Sequence, residues 1–144
     1  MRKSIIPYGK QNITEEDIEA VVDTLKSDYL TQGPRIHDFE ENFAKYVGSE
    51  FAVAVSNGTA ALHLSVLGLG LKKGQKVITT PLTFAATANS VLYCGGELVF
   101  VDIDPETYLM DPSKLESAIT ERTRAIIPVH LYGHIAHMKE ILEI

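Results

Sequence analysis

The apolar positions of this chain change period near residue 50. Before that point they recur at helical spacing. Ile18, Val21, Val22 and Leu25 share one face of a helix expected over residues 15–27, with Thr14 as N-cap and Asp17 in a box-like position three residues on. Residues 28–33 break the pattern, and Pro34 opens a second helix because its fixed φ suits a first turn. Ile36, Phe39, Phe43 and Tyr46 stripe one face of that helix, and Gly48 stops it.

Beyond residue 50, short apolar runs alternate with helical stretches. Phe51-Ala52-Val53-Ala54-Val55 is a run of the kind found in buried parallel strands, and further strands are expected over 76–80, 97–103 and 124–129. Helices are expected over 59–69, 84–93 and 112–119, and another from 134 to the end. Strict strand–helix alternation predicts an α/β fold, a parallel sheet with right-handed crossovers. The expected organisation is a helical arm over residues 1–48, then an α/β unit over 49–144. Four strands are few for an open sheet, and Ile144 follows no cap, so the chain reads as the front of a longer protein.

Composition narrows the function classes. With 144 residues, 45% of them hydrophobic, the chain can bury a real core, which excludes a disordered or disulfide-scaffold protein. A net charge of −6 repels phosphate backbones, so nucleic acid is not an expected partner. No apolar run approaches the roughly 20 residues a membrane helix needs, so no membrane partner is expected either. The opening residues lack a secretory pattern, and the single cysteine, Cys94, fits a reducing cytoplasm.

Four places could carry chemistry. Ser56-Asn57-Gly58-Thr59-Ala60 joins a strand run to a helix, where free amides and the positive end of the dipole can hold one phosphate. Its spacing matches neither a P-loop nor G-x-G-x-x-G. Thr79 to Asn89 spans the carboxyl end of a strand, where open α/β sheets bind ligands. There Phe84 could lay its ring on a flat cofactor, although pattern alone favours a core phenylalanine. Asp102 and Asp104 share a strand face as an acid–base or metal pair would, but Pro105 after them points to turn chemistry. His130, His134 and His137 lack the matched carboxylate or cysteine spacing of a metal site, and none is expected. Cys94 reads as an inert core thiol.

Several of these segments, in order, resemble the DegT/StrS family of pyridoxal-phosphate sugar aminotransferases. They are Leu30-Thr31-Gln32-Gly33-Pro34, Phe39-Glu40, Ser56 to Leu62, Pro81 to Asn89, Phe100-Val101-Asp102-Ile103-Asp104 and Pro128-Val129-His130-Leu131-Tyr132-Gly133. The resemblance implies the α-β-α large domain of the type I aminotransferase fold and the cofactor pyridoxal 5'-phosphate. It implies that Gly58, Thr59 and Ala60 hold the cofactor phosphate and that Phe84 stacks on its ring. It also implies that Tyr8, Tyr29, Leu30 and Thr31 line the pocket of a nucleotide-linked 4-keto-6-deoxy sugar. An amino-acid donor such as glutamate, a homodimer or higher oligomer, and a role in polysaccharide biosynthesis go with it.

The sequence departs from the family in one respect. The later Asp-Ala-Ala-His-like stretch and the lysine that attaches the cofactor are not among these residues. The lysines at 3, 10, 26, 45, 72, 73, 76, 114 and 139 all precede that position. No catalytic residue is therefore assigned, and the chain alone is expected to be inactive. A non-catalytic α/β binding module and a nucleotide-binding domain of another enzyme class, such as a dehydrogenase, remain as alternatives.

Overall fold

The structure, a computed structural model, describes residues 9–144. Two compact units divide at Ala54 and Val55. In the first, α1 spans Glu15–Lys26 and α2 spans Pro34–Val47. Thr14 closes a full capping box: its N–H donates to Asp17 Oδ2 at 2.8 Å, and the Asp17 N–H returns to Thr14 Oγ1 at 3.4 Å. Glu15, Glu16 and Asp17 add negative charge where the helix dipole favours it. Pro34 starts α2, and Gly48 ends it with φ 71°, a left-handed cap that favours glycine. Phe39 and Phe43 stack at 5.8 Å along its exposed stripe.

The strand expected over residues 51–55 does not form. No ladder reaches it among the described residues, and Phe51 and Val53 are 76% and 78% exposed. The Ala54 N–H donates instead to Glu40 Oε1 at 2.8 Å. An apolar run becomes a strand only by pairing, and here a carboxylate from α2 takes a backbone donor that a neighbouring strand would need.

The second unit, Val55–Ile144, contains α3 (Gly58–Gly68), β1 (Lys76–Thr79), α4 (Ala85–Tyr93), β2 (Glu97–Phe100), α5 (Pro112–Ala118), β3 (Thr123–Ile127) and α6 (Met138–Glu143). The sheet therefore has three strands, not four, in the order β2-β1-β3, and both pairings are parallel. Val77 pairs with Leu98 on one side and Ala125 on the other. β1 is buried along Val77, Ile78 and Thr79, as a central parallel strand should be. Ile78, Val101, Met110, Leu115, Ala136 and Ile141 form the core on one sheet face. Val77 and Thr79 alternate to the other face, and there α4 packs on β1 and β2 and also against α3.

β2 and the last helix fall furthest short of the expected lengths. β2 stops at Phe100 because Ile103 turns back to bridge Met110, with Asp104 organising the turn between them. The last helix begins at Met138 rather than 134, because a tight reversal precedes it. Leu131 bridges His134, and Tyr132 and Gly133 both have positive φ (53° and 82°), the geometry of a type I′ turn. Among the described residues no helix is long and apolar enough to cross a membrane.

Leu115 is fully buried and Leu142 is 78% exposed. Leu115→Ala is expected to cost about 2–5 kcal/mol in denaturant unfolding, and Leu142→Ala less than about 0.5 kcal/mol. Equal costs would contradict this core.

Candidate active site at the carboxyl edge of the sheet

The start of α3 lies at the carboxyl edge of the sheet, as two contacts at the other end of that helix establish. Arg124, at the beginning of β3, donates from Nη2 to the carbonyl of Leu69 at 3.4 Å. The Leu71 side chain sits where a Cβ on Gly96, just before β2, would fall 2.9 Å away. The end of α3 thus lies at the amino ends of the strands, and the helix runs antiparallel to them. α4 leaves the carboxyl end of β1 through Pro81–Thr83 and returns to Gly95-Gly96 before β2, so it runs the same way. Both helix starts therefore face one edge.

At that edge Asn57 caps α3 from an extended backbone, its Oδ1 accepting from the Ala60 N–H at 2.9 Å. The Ala61 N–H goes to the Asn57 carbonyl. The amides of Gly58 and Thr59 are left without protein acceptors among the described residues. Gly58 and Thr59 are both exposed, and a Cβ on Gly58 would meet nothing within 4 Å, so this helix start is open to solvent. The group they suit is a compact anion, and the resident cap directs Ala60 elsewhere.

Phe84 stands at the N-cap of α4 and is 76% exposed. The core role that pattern alone favours is therefore corrected: at a helix start on a strand edge the ring has no second layer to enter. Thr83 and Thr87 hydroxyls share a 2.9 Å hydrogen bond that fixes the turn beneath it. Next to it two buried threonines stand at the end of β1, Thr79 as its last residue and Thr80 just beyond. The Thr79 hydroxyl donates to the Ile127 carbonyl at 2.8 Å, whereas Thr80 Oγ1, on a residue 1% exposed, has no partner among the described residues. A buried orphan hydroxyl, open amides and a bare aromatic face on one edge fit a flat, phosphate-bearing group.

The other sequence candidates sort differently. Tyr29, Leu30 and Thr31 are exposed in the turn between α1 and α2, in the first unit. That turn needs its glycine, since a Cβ on Gly33 would lie 2.7 Å from Tyr29 Cβ. Tyr8 lies outside the described residues. Asp102 and Asp104 do not form an acid–base pair. Asp102 Oδ1 accepts from the Ile103 amide at 2.8 Å, and Oδ2 faces Lys114 Nζ at 3.7 Å. Asp104 Oδ1 accepts the amides of Thr107 (2.8 Å) and Glu106 (2.9 Å). Cys94 is half-buried at the end of α4, its Sγ 3.9 Å from the His63 carbonyl. Among the described residues no cluster of His, Cys, Asp or Glu could hold a metal. The cap itself is a local signal, since asparagine just before a helix is a favoured N-cap residue, although the strand–turn–helix pattern alone does not single it out. Thr80 carries no such signal, because burial without a partner is a tertiary property.

The Thr107 amide, then the Glu106 amide, hold the Asp104 carboxyl below its ordinary value. A depressed folded-state pKa stabilises at pH above the unfolded value of 3.8, and the contribution is lost as pH falls through the folded one. Replacing Asp104 by Ala is expected to remove that part of the acid dependence of unfolding. A variant whose stability falls with acid as steeply as the parent's would contradict the assignment.

Comparison with known proteins identifies the family and the fold. The family model described as the DegT/DnrJ/EryC1/StrS aminotransferase family matches residues 11–144. GDP-perosamine synthase of Caulobacter vibrioides is 52% identical over 112 residues, which are 78% of this chain and 30% of that protein. The UDP-4-amino-4-deoxy-L-arabinose–oxoglutarate aminotransferase of Shewanella sediminis is 40% identical over 133 residues, 92% of this chain and 34% of that one. Spr1654 of Streptococcus pneumoniae, a candidate sugar aminotransferase solved in a PMP form, superposes with a TM-score of 0.88 at 36% identity. That match covers 96% of this chain and 35% of the solved one. The chain spans about a third of the length of these relatives. Its α/β unit has the type I aminotransferase fold. From the family match over nearly its whole length and the shared fold, the chain belongs to the DegT/DnrJ/EryC1/StrS aminotransferase family.

Proposed function

We propose that this chain is the N-terminal part of the cofactor-binding large domain of a pyridoxal-phosphate sugar aminotransferase. The parent reaction moves an amino group from glutamate to the keto carbon of a nucleotide-linked 4-keto-6-deoxy sugar. The observation that supports the reading is that the α3 start, with unpaired amides at Gly58 and Thr59, and the exposed ring of Phe84 at the α4 start belong to the same sheet edge. Relatives whose names carry GDP- or UDP-linked amino sugars and oxoglutarate support the substrate classes.

Each residue has a part. The Gly58 and Thr59 amides and the Thr59 hydroxyl bind the cofactor phosphate, with Ala60 setting the helix behind them. Phe84 gives one wall of the ring slot and excludes water from that face. When bound, the cofactor supplies an electron sink for the carbon losing or gaining nitrogen. Tyr8, Tyr29, Leu30 and Thr31 are proposed for the sugar-nucleotide pocket. The family resemblance gives the group that would face the ring nitrogen and the attaching lysine no counterpart among these 144 residues, so these residues on their own are not expected to transaminate. Neither α1 nor most of α2 buries its apolar stripe, which supports a homodimer or higher oligomer. The single cysteine supports the cytoplasm.

Pyridoxamine phosphate tests the site because it has no aldehyde to react with surface lysines. Thr59→Val removes a hydroxyl donor to a charged group, a bond of roughly 1.5–3 kcal/mol, so affinity is expected to fall about ten- to a hundredfold by equilibrium dialysis. Phe84→Ala is expected to weaken binding where Phe84→Tyr keeps most of it. Unchanged affinity in Thr59→Val, together with equal behaviour of the Phe84 variants, would overturn the reading.

A further inference from the structure

The Pro128–Gly133 segment leaves the sheet from β3, the strand paired with β1 at the edge of the proposed ring slot. β3 pairs directly with β1, Thr79 lying in register with Ile127, and the Thr79 hydroxyl ties the two strand ends together. From that point β1 continues to Phe84 and β3 to His130, five and three residues beyond the register pair. His130 therefore comes off the same edge from the neighbouring strand.

The His130 ring is held on one side only. Its Nδ1 accepts the Ala136 N–H at 3.0 Å. Ala136 is 3% exposed and packs in the core with Ile78 and Met110, so this bond ties an exposed ring to a fixed point. The reversal between them is tight: His134 N–H donates to the Leu131 carbonyl at 2.8 Å, and Tyr132 takes φ 53°, a conformation costly for a residue with a side chain. A nitrogen that accepts carries no proton, so the ring proton sits on Nε2. Among the described residues Nε2 has no partner. The fold thus spends a strained turn on orienting an imidazole whose one remaining donor is unused.

We infer that His130 is a cofactor-binding residue: held through Nδ1 by the Ala136 amide, it presents its Nε2–H to an oxygen acceptor on the ring of the ligand stacked on Phe84. The inference rests on the cofactor reading above. With the phosphate on α3 and the ring on α4, a donor from β3 would fix the ring's rotation within its slot, which neither a phosphate contact nor a stacking face does.

His130→Asn separates the two nitrogens. The asparagine oxygen takes the place of Nδ1 and keeps an acceptor for the Ala136 amide, but the side chain ends short of Nε2. The expected result is an unchanged unfolding midpoint with affinity for pyridoxamine phosphate reduced about tenfold, the loss of one hydrogen bond. In the parent, long-range proton–nitrogen spectra are expected to show the neutral His130 ring with its proton on Nε2. Adding pyridoxamine phosphate is expected to shift that nitrogen. Affinity of His130→Asn within twofold of the parent overturns the inference, as does the opposite tautomer or an Nε2 resonance that the ligand leaves unmoved. If the parent itself does not bind pyridoxamine phosphate, the cofactor reading fails and this inference with it. Binding by the parent with an indifferent His130 removes this inference alone.

Discussion

Parallel pairing of β1 on both of its edges is the constraint from which the rest of the α/β unit follows. Parallel strands cannot be joined by tight turns, so every connection must cross back over a face of the sheet. The crossing α4 must run against the strands, and α3, packed beside it, does the same. Helix starts, with their unpaired amides, are thereby collected on the carboxyl edge, and helix ends on the other. β1 takes full burial at Val77, Ile78 and Thr79 as the centre of this arrangement. The candidate site is a consequence of the pairing and needs no special loop to assemble it.

Electrostatics at this edge are local. A chain with net charge −6 offers no general attraction to a phosphate. Two open amides at the positive end of a helix dipole do, over a few ångströms, and Asn57 governs how many are available by taking the Ala60 donor. The aspartates that follow β2 are turned to structural work: Asp104 Oδ1 accepts the amides of its own turn, and Asp111 caps α5 and faces Lys114 at 3.3 Å. Neither carboxylate competes with an anion for the Gly58 and Thr59 amides.

Much of this was legible in the sequence where local chemistry decides the outcome. Thr14, Pro34 and Gly48 bound their helices as their side chains and backbone preferences require. Lys76 to Thr79 and the run before Phe100 are strands because both are apolar and lie between glycine or proline punctuation. Phe51 to Val55 has the same composition and is not a strand, since pairing depends on a partner that composition does not encode. Phe84 and His130 show the same limit in the site. A phenylalanine after an apolar strand reads as core until the helix start places it at an edge, and the His130 ring is oriented by an amide six residues away. The resemblance to a family supplied for Phe84 what pattern could not.

The most direct test of a ligand edge built by parallel pairing is a map of amide shifts in the nitrogen-labelled chain as pyridoxamine phosphate is added. Movement is expected to concentrate at Gly58, Thr59 and Phe84, with Thr14 to Lys26 of α1 and the amino-end residues Gly74 and Gly96 unmoved. Movement centred on the amino ends of the strands, or spread evenly along the chain, would contradict it.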